Sequence, residues 1–423
     1  MSTVTISPRK LSGSVIIPPS KSDTHRAIIC AALSNGVSTV SPIYLSDDIN
    51  ATIKAVSELG AKVEIIADKL IIDGKNTFSN QNIKINCKES ASTLRFLIPI
   101  AAAGGINATF IGAGKLPSRP IGIYLDCLPK FGVNCQTQSG LPLKLSGKLS
   151  AGNYKIPGNI SSQFISGLLF SLPLLNGNST IEITESFESS AYVDMTINTM
   201  SQFGITVEKF DNGYKIPGNQ SYRPTNYKIE GDYSQAAFFI AAAILSDRIQ
   251  ILGLKKDSFQ GDSKAINIFK KFGANIKWDS NDLVIFPSDL YGITIDASQV
   301  PDLVPILAVV ACFADGTTTI TNAARLRIKE CDRLAAISKT LNKLGANIKE
   351  TQDGLIIKGV KKLESGTVDS FNDHRITMAL SIAAIKATGD ITITNAQSIN
   401  KSYPTFFEDY NTLGGASNVI NMG

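Results

Sequence analysis

The chain has 423 residues, 43% hydrophobic and 18% charged, which is more than one ordinary domain needs and predicts two. Its net charge of +5 comes from lysines and arginines scattered among acids, without basic tracts or interleaved aromatics, a pattern that argues against a nucleic-acid partner and for small anionic ligands. Six cysteines without paired spacing and only two histidines suggest neither a disulfide framework nor a metal site, and neither a signal-peptide core nor a membrane-length apolar run occurs, so a cytoplasmic protein with no membrane partner is expected.

In chain order, the first strong element is the polar run "PPSKSDTHR" leading into the apolar "AIICAAL". An amphipathic helix follows, with Ile49, Ile53, Val56 and Leu59 on one face, ending at Gly60 before two alternating strands, "AKVEIIADKLIIDG". The same phrase returns five times. Its helix-terminating glycines are Gly60, Gly132, Gly204, Gly273, Gly345 and Gly414, spaced 69–72 residues apart, the last followed by a truncated copy. Each repeat also carries an earlier helix that is apolar nearly all round: "AIICAAL", "LRFLIPIAAA", "FISGLLFSLPLL", "AAFFIAAAIL", "LVPILAVVACF" and "ITMALSIAAI". Such helices belong inside a core. The predicted repeat is βαβαββ, and three repeats closing around their buried helices make one domain.

Each buried helix is preceded by a polar cluster: "SKSDTHR", "ESASTLR", "NISSQ", "EGDYSQ", "VPD" and "NDHR". Ser, Asp and Asn at such places ordinarily cap the helix. Capping does not account for Lys21, Arg26, Arg95 and Arg375, which crowd the positive end of a helix dipole and are favourable there only with an anion present. Two further clusters, "KLPSRPIG" with Arg119 and "ARLRIKECDRL" with Arg325, Arg327, Lys329, Glu330, Asp332 and Arg333, read either as solvated charge or as cations and an acid facing an anionic substrate.

Taken together, "PPSKSDTHRA", "ESASTLRF", "SRPIG", "SSQF", "EGDYSQAAF", "VPD", "RIKECDRL", "NDHR" and "KSYPTFF" resemble the 3-phosphoshikimate 1-carboxyvinyltransferases, or EPSP synthases, in order and spacing over essentially the whole chain. The resemblance implies an α/β fold of two domains, each of three βαβαββ units packed around buried helices (an inverse α/β barrel), with the active site in the interdomain cleft. One domain would be residues 20–230. The other would be residues 231–423 with 1–19, the N-terminal strand swapped in. It further implies transfer of the enolpyruvyl group of phosphoenolpyruvate to the 5-hydroxyl of shikimate 3-phosphate, by a monomer needing no metal, nucleotide or organic cofactor.

The same resemblance assigns Lys21 to both substrates. Ser22, Arg26, Ser161, Ser162, Gln163, Ser189, Tyr192, Asp302 and Lys329 would hold shikimate 3-phosphate. Ala91, Arg119, Gln163, Glu330, Arg333, His374, Arg375 and Lys401 would hold phosphoenolpyruvate. Asp302 is the implied base, and Glu330 or Lys21 the acid. This makes His25 an unneeded histidine between matched positions. Departures from the family pattern include Pro19 and Ser20, Lys115, Cys331 and above all Ala91, where glycine is usual and where an added methyl implies reduced sensitivity to glyphosate. The nearest alternative is UDP-N-acetylglucosamine 1-carboxyvinyltransferase, but the reactive cysteine of its loop has no counterpart in "GAGKLPSRP". RNA 3'-phosphate cyclases share related units without recognisable nucleotide-binding features here. A non-enzymatic repeat scaffold would carry six similar clusters, whereas these six differ.

Overall fold

A computed structural model describes residues 2–421. The chain divides into two compact units: a continuous one, Pro19–Ile229, and a discontinuous one made of the chain's two ends, through Pro18 and from Glu230 onward.

Each unit carries three four-stranded sheets, and all six sheets share one strand order. In the sheet of Asn82–Asn86, Asn107–Ile111, Val133–Gln136 and Leu143–Gly147, the first two strands run parallel, joined through the buried helix Ala91–Ala103. The fourth strand then pairs antiparallel with the second, and the third with the fourth. This order is what a βαβ crossover followed by a helix and a hairpin produces. Among the described residues the sheets are not hydrogen-bonded into one closed barrel. Alternating burial, as in Leu70 and Ile72 of Lys69–Asp73, turns one face of each sheet to the helices.

The apolar helices are interior, as their composition predicts. Every residue of Tyr233–Leu245 and of Val304–Ala311 is buried. In the continuous unit, one core cluster runs through Ile28 and Ile29, Phe96 and Leu97, and Phe164 and Ile165 of three such helices. In the discontinuous unit, Tyr233–Leu245, Val304–Ala311 and His374–Ala383 pack on one another. The six repeat glycines all have φ between +81° and +114°, the left-handed conformation that ends a helix with little cost only for a residue lacking Cβ.

The chain's start is more divided than a single swapped strand. Gly13–Ile16 lies parallel to Ile249–Leu252 and opens one repeat, whereas Ser2–Ser7 lies between Ile391–Thr394 and Ala416–Asn421 and completes the truncated sixth copy. Likewise Asn226–Lys228 returns to pair with Val37–Ser41 and supplies the first strand of the repeat that begins at Lys21. Among the described residues no helix is long and apolar enough to cross a membrane.

Candidate active site

Five of the six buried helices are capped by side chains of the polar clusters. Ser20, Ser90, Ser161, Asp232 and Asp373 accept from backbone N–H groups of the first turns of their helices. The sixth helix differs: Asp302 sits on the short 3-10 turn Pro301–Leu303 ahead of Val304–Ala311 and makes no cap. Its carboxylate is thereby left to the cations around it.

In the continuous unit, Lys21 opens helix Lys21–Leu33 and its Nζ lies 2.7 Å from Asp48 Oδ2. Arg26, one turn on, is buried and donates to Thr196 Oγ1 (2.7 Å), the Ser22 carbonyl (2.7 Å) and the Tyr192 carbonyl (2.9 Å), with its guanidinium 5.2 Å from the Phe96 ring centre. Burial pulls Arg26 down to about 10, so it stays charged at neutral pH. Arg95 donates to Ser161 Oγ (3.3 Å), Gln163 Oε1 (2.9 Å) and the Pro120 carbonyl (3.0 Å), and Gln163 Nε2 donates to Ser92 Oγ (2.9 Å). The starts of two helices and the segment just after Arg119 are thus tied at one guanidinium, an arrangement suited to rigid Arg rather than Lys. Ser162 is buried at the start of its helix, and half-buried Arg119 follows the turn Leu116–Ser118. Ser189 is a left-handed residue (φ 52°) before helix Ser190–Gln202, on which Tyr192 lies. Ala91 opens helix Ala91–Ala103 and is 6% exposed.

His25 is buried. Its Nδ1 lies 2.7 Å from Thr52 Oγ1, which lies 2.6 Å from Thr93 Oγ1, and Thr93 donates to the cap Ser90 (2.8 Å). Burial first, then Lys21 and Arg26, hold its pKa well below the ordinary histidine value. A neutral imidazole tying two helix starts together is a packing element, in keeping with its omission from the candidate acids and bases.

In the discontinuous unit, Arg333 is the hub. Its Nε donates to Asp373 (2.7 Å), one terminal nitrogen to Asp302 (2.8 Å) and the other to Glu330 (2.7 Å), with the side chain 2% exposed. Burial pulls its pKa down, but Asp373, Glu330 and Asp302 together outweigh burial and hold it well above the usual arginine value. Asp302 also meets Lys329 Nζ (3.4 Å) and an Arg375 terminal nitrogen (3.4 Å), while the other Arg375 terminal nitrogen donates to the Asp302 carbonyl (3.2 Å). Burial would raise the Asp302 carboxyl. Arg375, Lys329 and Arg333 reverse this and hold it well below the usual carboxylate range. Lys329 is lowered to about 8, chiefly by burial. Lys401 donates to the Asn372 carbonyl (2.7 Å), bracing a turn in which Phe371 and Asn372 both have positive φ just before Asp373. His374 is buried, its Nδ1 4.0 Å from Asp373 Oδ1.

Three residues escaped sequence reasoning. Asp48, Asp262 and Asp373 look like ordinary first-turn or loop acids, yet they pair with Lys21, accept from Ser234 and anchor Arg333. The only sequence signal was a surplus of acids beside the unusual cations. Arg327, left open in the sequence between solvated charge and a substrate cation, is taken up by Asp332, Glu350 and the carbonyls of Thr351 and Gln352, fastening a hairpin. The Cys331 thiol donates to Asp373 (3.7 Å), the bond a hydroxyl would make at that place.

Two α/β units of three like repeats each, with charged side chains at the starts of their buried helices, define the class of protein by its architecture. Residues 6–410 match the family model of EPSP synthase (3-phosphoshikimate 1-carboxyvinyltransferase), and the chain belongs to that family. It is 48% identical to the 3-phosphoshikimate 1-carboxyvinyltransferase of Clostridium novyi (strain NT) over all of both chains, and 50% identical to one from Clostridium perfringens over 98% of this chain and 99% of the relative. Among solved structures, an EPSP synthase from Acinetobacter baumannii superimposes with a TM-score of 0.85 at 26% identity, covering all of both chains.

Proposed function

We propose that this chain transfers the enolpyruvyl group of phosphoenolpyruvate to the 5-hydroxyl of shikimate 3-phosphate, releasing phosphate. The observation that carries the reading is Asp302: a carboxylate excused from capping and held among Lys329, Arg333 and Arg375, with Glu330 on the same Arg333. Family membership and the names of the full-length relatives support the substrate choice.

Each substrate carries a carboxylate and a phosphate. Arg26, Ser22, Ser161, Ser162, Gln163, Ser189, Tyr192 and Lys329 are assigned to the acceptor. Arg119, Arg333, His374, Arg375, Lys401, Gln163, Glu330 and the backbone at Ala91 are assigned to the donor, and Lys21 to both. Asp302 is a weak base while three cations stabilise its charge. When substrate anions engage Lys329 and Arg375, that attraction weakens and Asp302 gains proton affinity as the acceptor hydroxyl arrives. Asp302 takes the hydroxyl proton, the oxygen bonds to C2 of phosphoenolpyruvate, and Glu330 or Lys21 protonates C3. Loss of a methyl proton then breaks the bond to phosphate and restores the double bond. Arg333 already donates through all three nitrogens to carboxylates, so any contact it makes with the donor is shared with Asp302, Glu330 and Asp373. Its first task is to hold Asp302 and Glu330.

The working form proposed is a monomer, and the six cysteines are unpaired thiols, in keeping with a cytoplasmic enzyme. The test is phosphate release from phosphoenolpyruvate on adding shikimate 3-phosphate, with UDP-N-acetylglucosamine as the rival acceptor. Release with the rival alone would overturn the assignment.

A further inference from the structure

Asp23 has no part in the reaction as drawn, yet its side chain reaches away from its own helix. It lies in the first turn of Lys21–Leu33, 5% exposed, where a carboxylate suits the positive end of the helix dipole. Its Oδ1 accepts from two hydroxyls of distant segments: Tyr227 (2.9 Å), on the strand Asn226–Lys228, and Thr199 (3.2 Å), on helix Ser190–Gln202. The Thr199 and Tyr227 oxygens are themselves 3.3 Å apart, and the Tyr227 ring stacks on Phe203, the residue that ends the same helix, with ring centres 5.7 Å apart. One buried carboxyl thus joins two helices and a strand.

Helix Ser190–Gln202 is held to Lys21–Leu33 at a second point one turn earlier. There Arg26 Nε donates to Thr196 Oγ1 (2.7 Å), a terminal nitrogen of Arg26 donates to the Tyr192 carbonyl (2.9 Å), and Thr196 Oγ1 also lies 2.8 Å from Ser166 Oγ. Thr196 and Thr199 are three residues apart and share a face of their helix, as Asp23 and Arg26 do of theirs. A single grip leaves a helix free to pivot about it. Two grips fix its register, and the residues at its start, Ser189 and Tyr192, are assigned with Arg26 to shikimate 3-phosphate.

We propose that Asp23 is a positioning residue for acceptor binding: through Thr199 and Tyr227 it fixes helix Ser190–Gln202 on helix Lys21–Leu33, and so keeps Ser189 and Tyr192 in the geometry the acceptor requires. The inference rests on the acceptor assignment made above. With the helix held beforehand, acceptor binding does not bear the cost of ordering it. The cations assigned to the donor alone, Arg119, Arg333, Arg375 and Lys401, lie on other elements, so the donor should be little affected.

The test is binding of shikimate 3-phosphate by calorimetry, with kcat and both KM values, in wild type, Asp23→Ala, Thr199→Val, Thr199→Ser and Tyr227→Phe. Asp23→Ala should weaken shikimate 3-phosphate binding and raise its KM roughly 5–30-fold, with kcat and the KM for phosphoenolpyruvate changed less than about twofold. Thr199→Val and Tyr227→Phe each remove one donor at nearly constant shape and should give roughly 2–5-fold shifts of the same kind, which carries the test if Asp23→Ala folds poorly. Thr199→Ser keeps the hydroxyl and should bind as wild type does. Added to Asp23→Ala, Thr199→Val should cost nothing further, because the oxygen it donates to is already gone. Unchanged acceptor binding in Thr199→Val and Tyr227→Phe overturns the inference, as do equal losses for both substrates, a Thr199→Ser as weak as Thr199→Val, or full additivity in the double variant. A wild type that binds no shikimate 3-phosphate would instead sink the acceptor assignment, and the positioning role with it.

Discussion

The two units hold their arginines in different ways. In the continuous unit, Arg26 and Arg95 donate to hydroxyls, carbonyls and an amide, neutral groups that orient a positive charge, while Lys21 pairs with Asp48. In the discontinuous unit, Arg333 alone meets three carboxylates, and Asp302 meets three cations. The first arrangement suits steady binding of an anion. The second suits chemistry, because a balanced ion cluster responds sharply when a new anion enters it.

The largest expected effect breaks the ion cluster at its base. Asp302→Ala should lower turnover by about 10²–10⁴-fold. Shikimate 3-phosphate binding, measured by calorimetry, should survive, and near-normal turnover would remove Asp302 from the mechanism. Asp373→Asn attacks the same cluster from beneath. It leaves a buried guanidinium short of a partner, so denaturant unfolding should show a loss of about 3–5 kcal/mol. A loss below one-third of that would mean the cluster relaxes around Arg333.

On the neutral-acceptor side the expected effect is smaller. Arg26→Lys keeps the charge but loses the fork that joins Thr196, Ser22 and Tyr192, and should weaken shikimate 3-phosphate binding by about 1.5–3 kcal/mol, with a lower melting temperature from the buried acceptors left unpaired. Lys329 stands between the two schemes. Because it is lowered to about 8, it loses its charge as pH rises through that value, so acceptor affinity should fall above about pH 8. Lys329→Arg should remove this alkaline limb, and an unchanged limb would assign it to another group. The smallest effect concerns Ala91, whose methyl opens the helix Ala91–Ala103. Ala91→Gly should make the enzyme more sensitive to glyphosate by about 1–3 kcal/mol in inhibitor affinity, and equal inhibition of both forms would clear Ala91 as the determinant.

Much of this was legible in one dimension because its causes are local. A glycine in the left-handed region ends each amphipathic helix, and a helix apolar all round must be interior, so Gly60 to Gly414 and the six buried helices reveal the repeat without any contact being known. The polar clusters, too, are visible as strings. What the strings hide is which member does what. Ser161 and Asp373 both cap their helices and Asp302 does not, yet Asp302 and Asp373 meet on Arg333, and Arg327, open in the sequence between solvated charge and substrate cation, fastens a hairpin whose other side lies 23–25 residues on.

By itself, then, the sequence determined the repeat, the interior helices, the family and the set of charged residues available to a site, since helical periodicity, capping and spacing act over a few residues. Only the tertiary structure decided that Ser2–Ser7 completes the sixth repeat and Gly13–Ile16 opens another, that Asp48 answers Lys21, and that Asp373 anchors Arg333. Strand pairing and ion pairing between distant segments are settled by what the packed core brings within a few ångströms, and no local pattern carries that information.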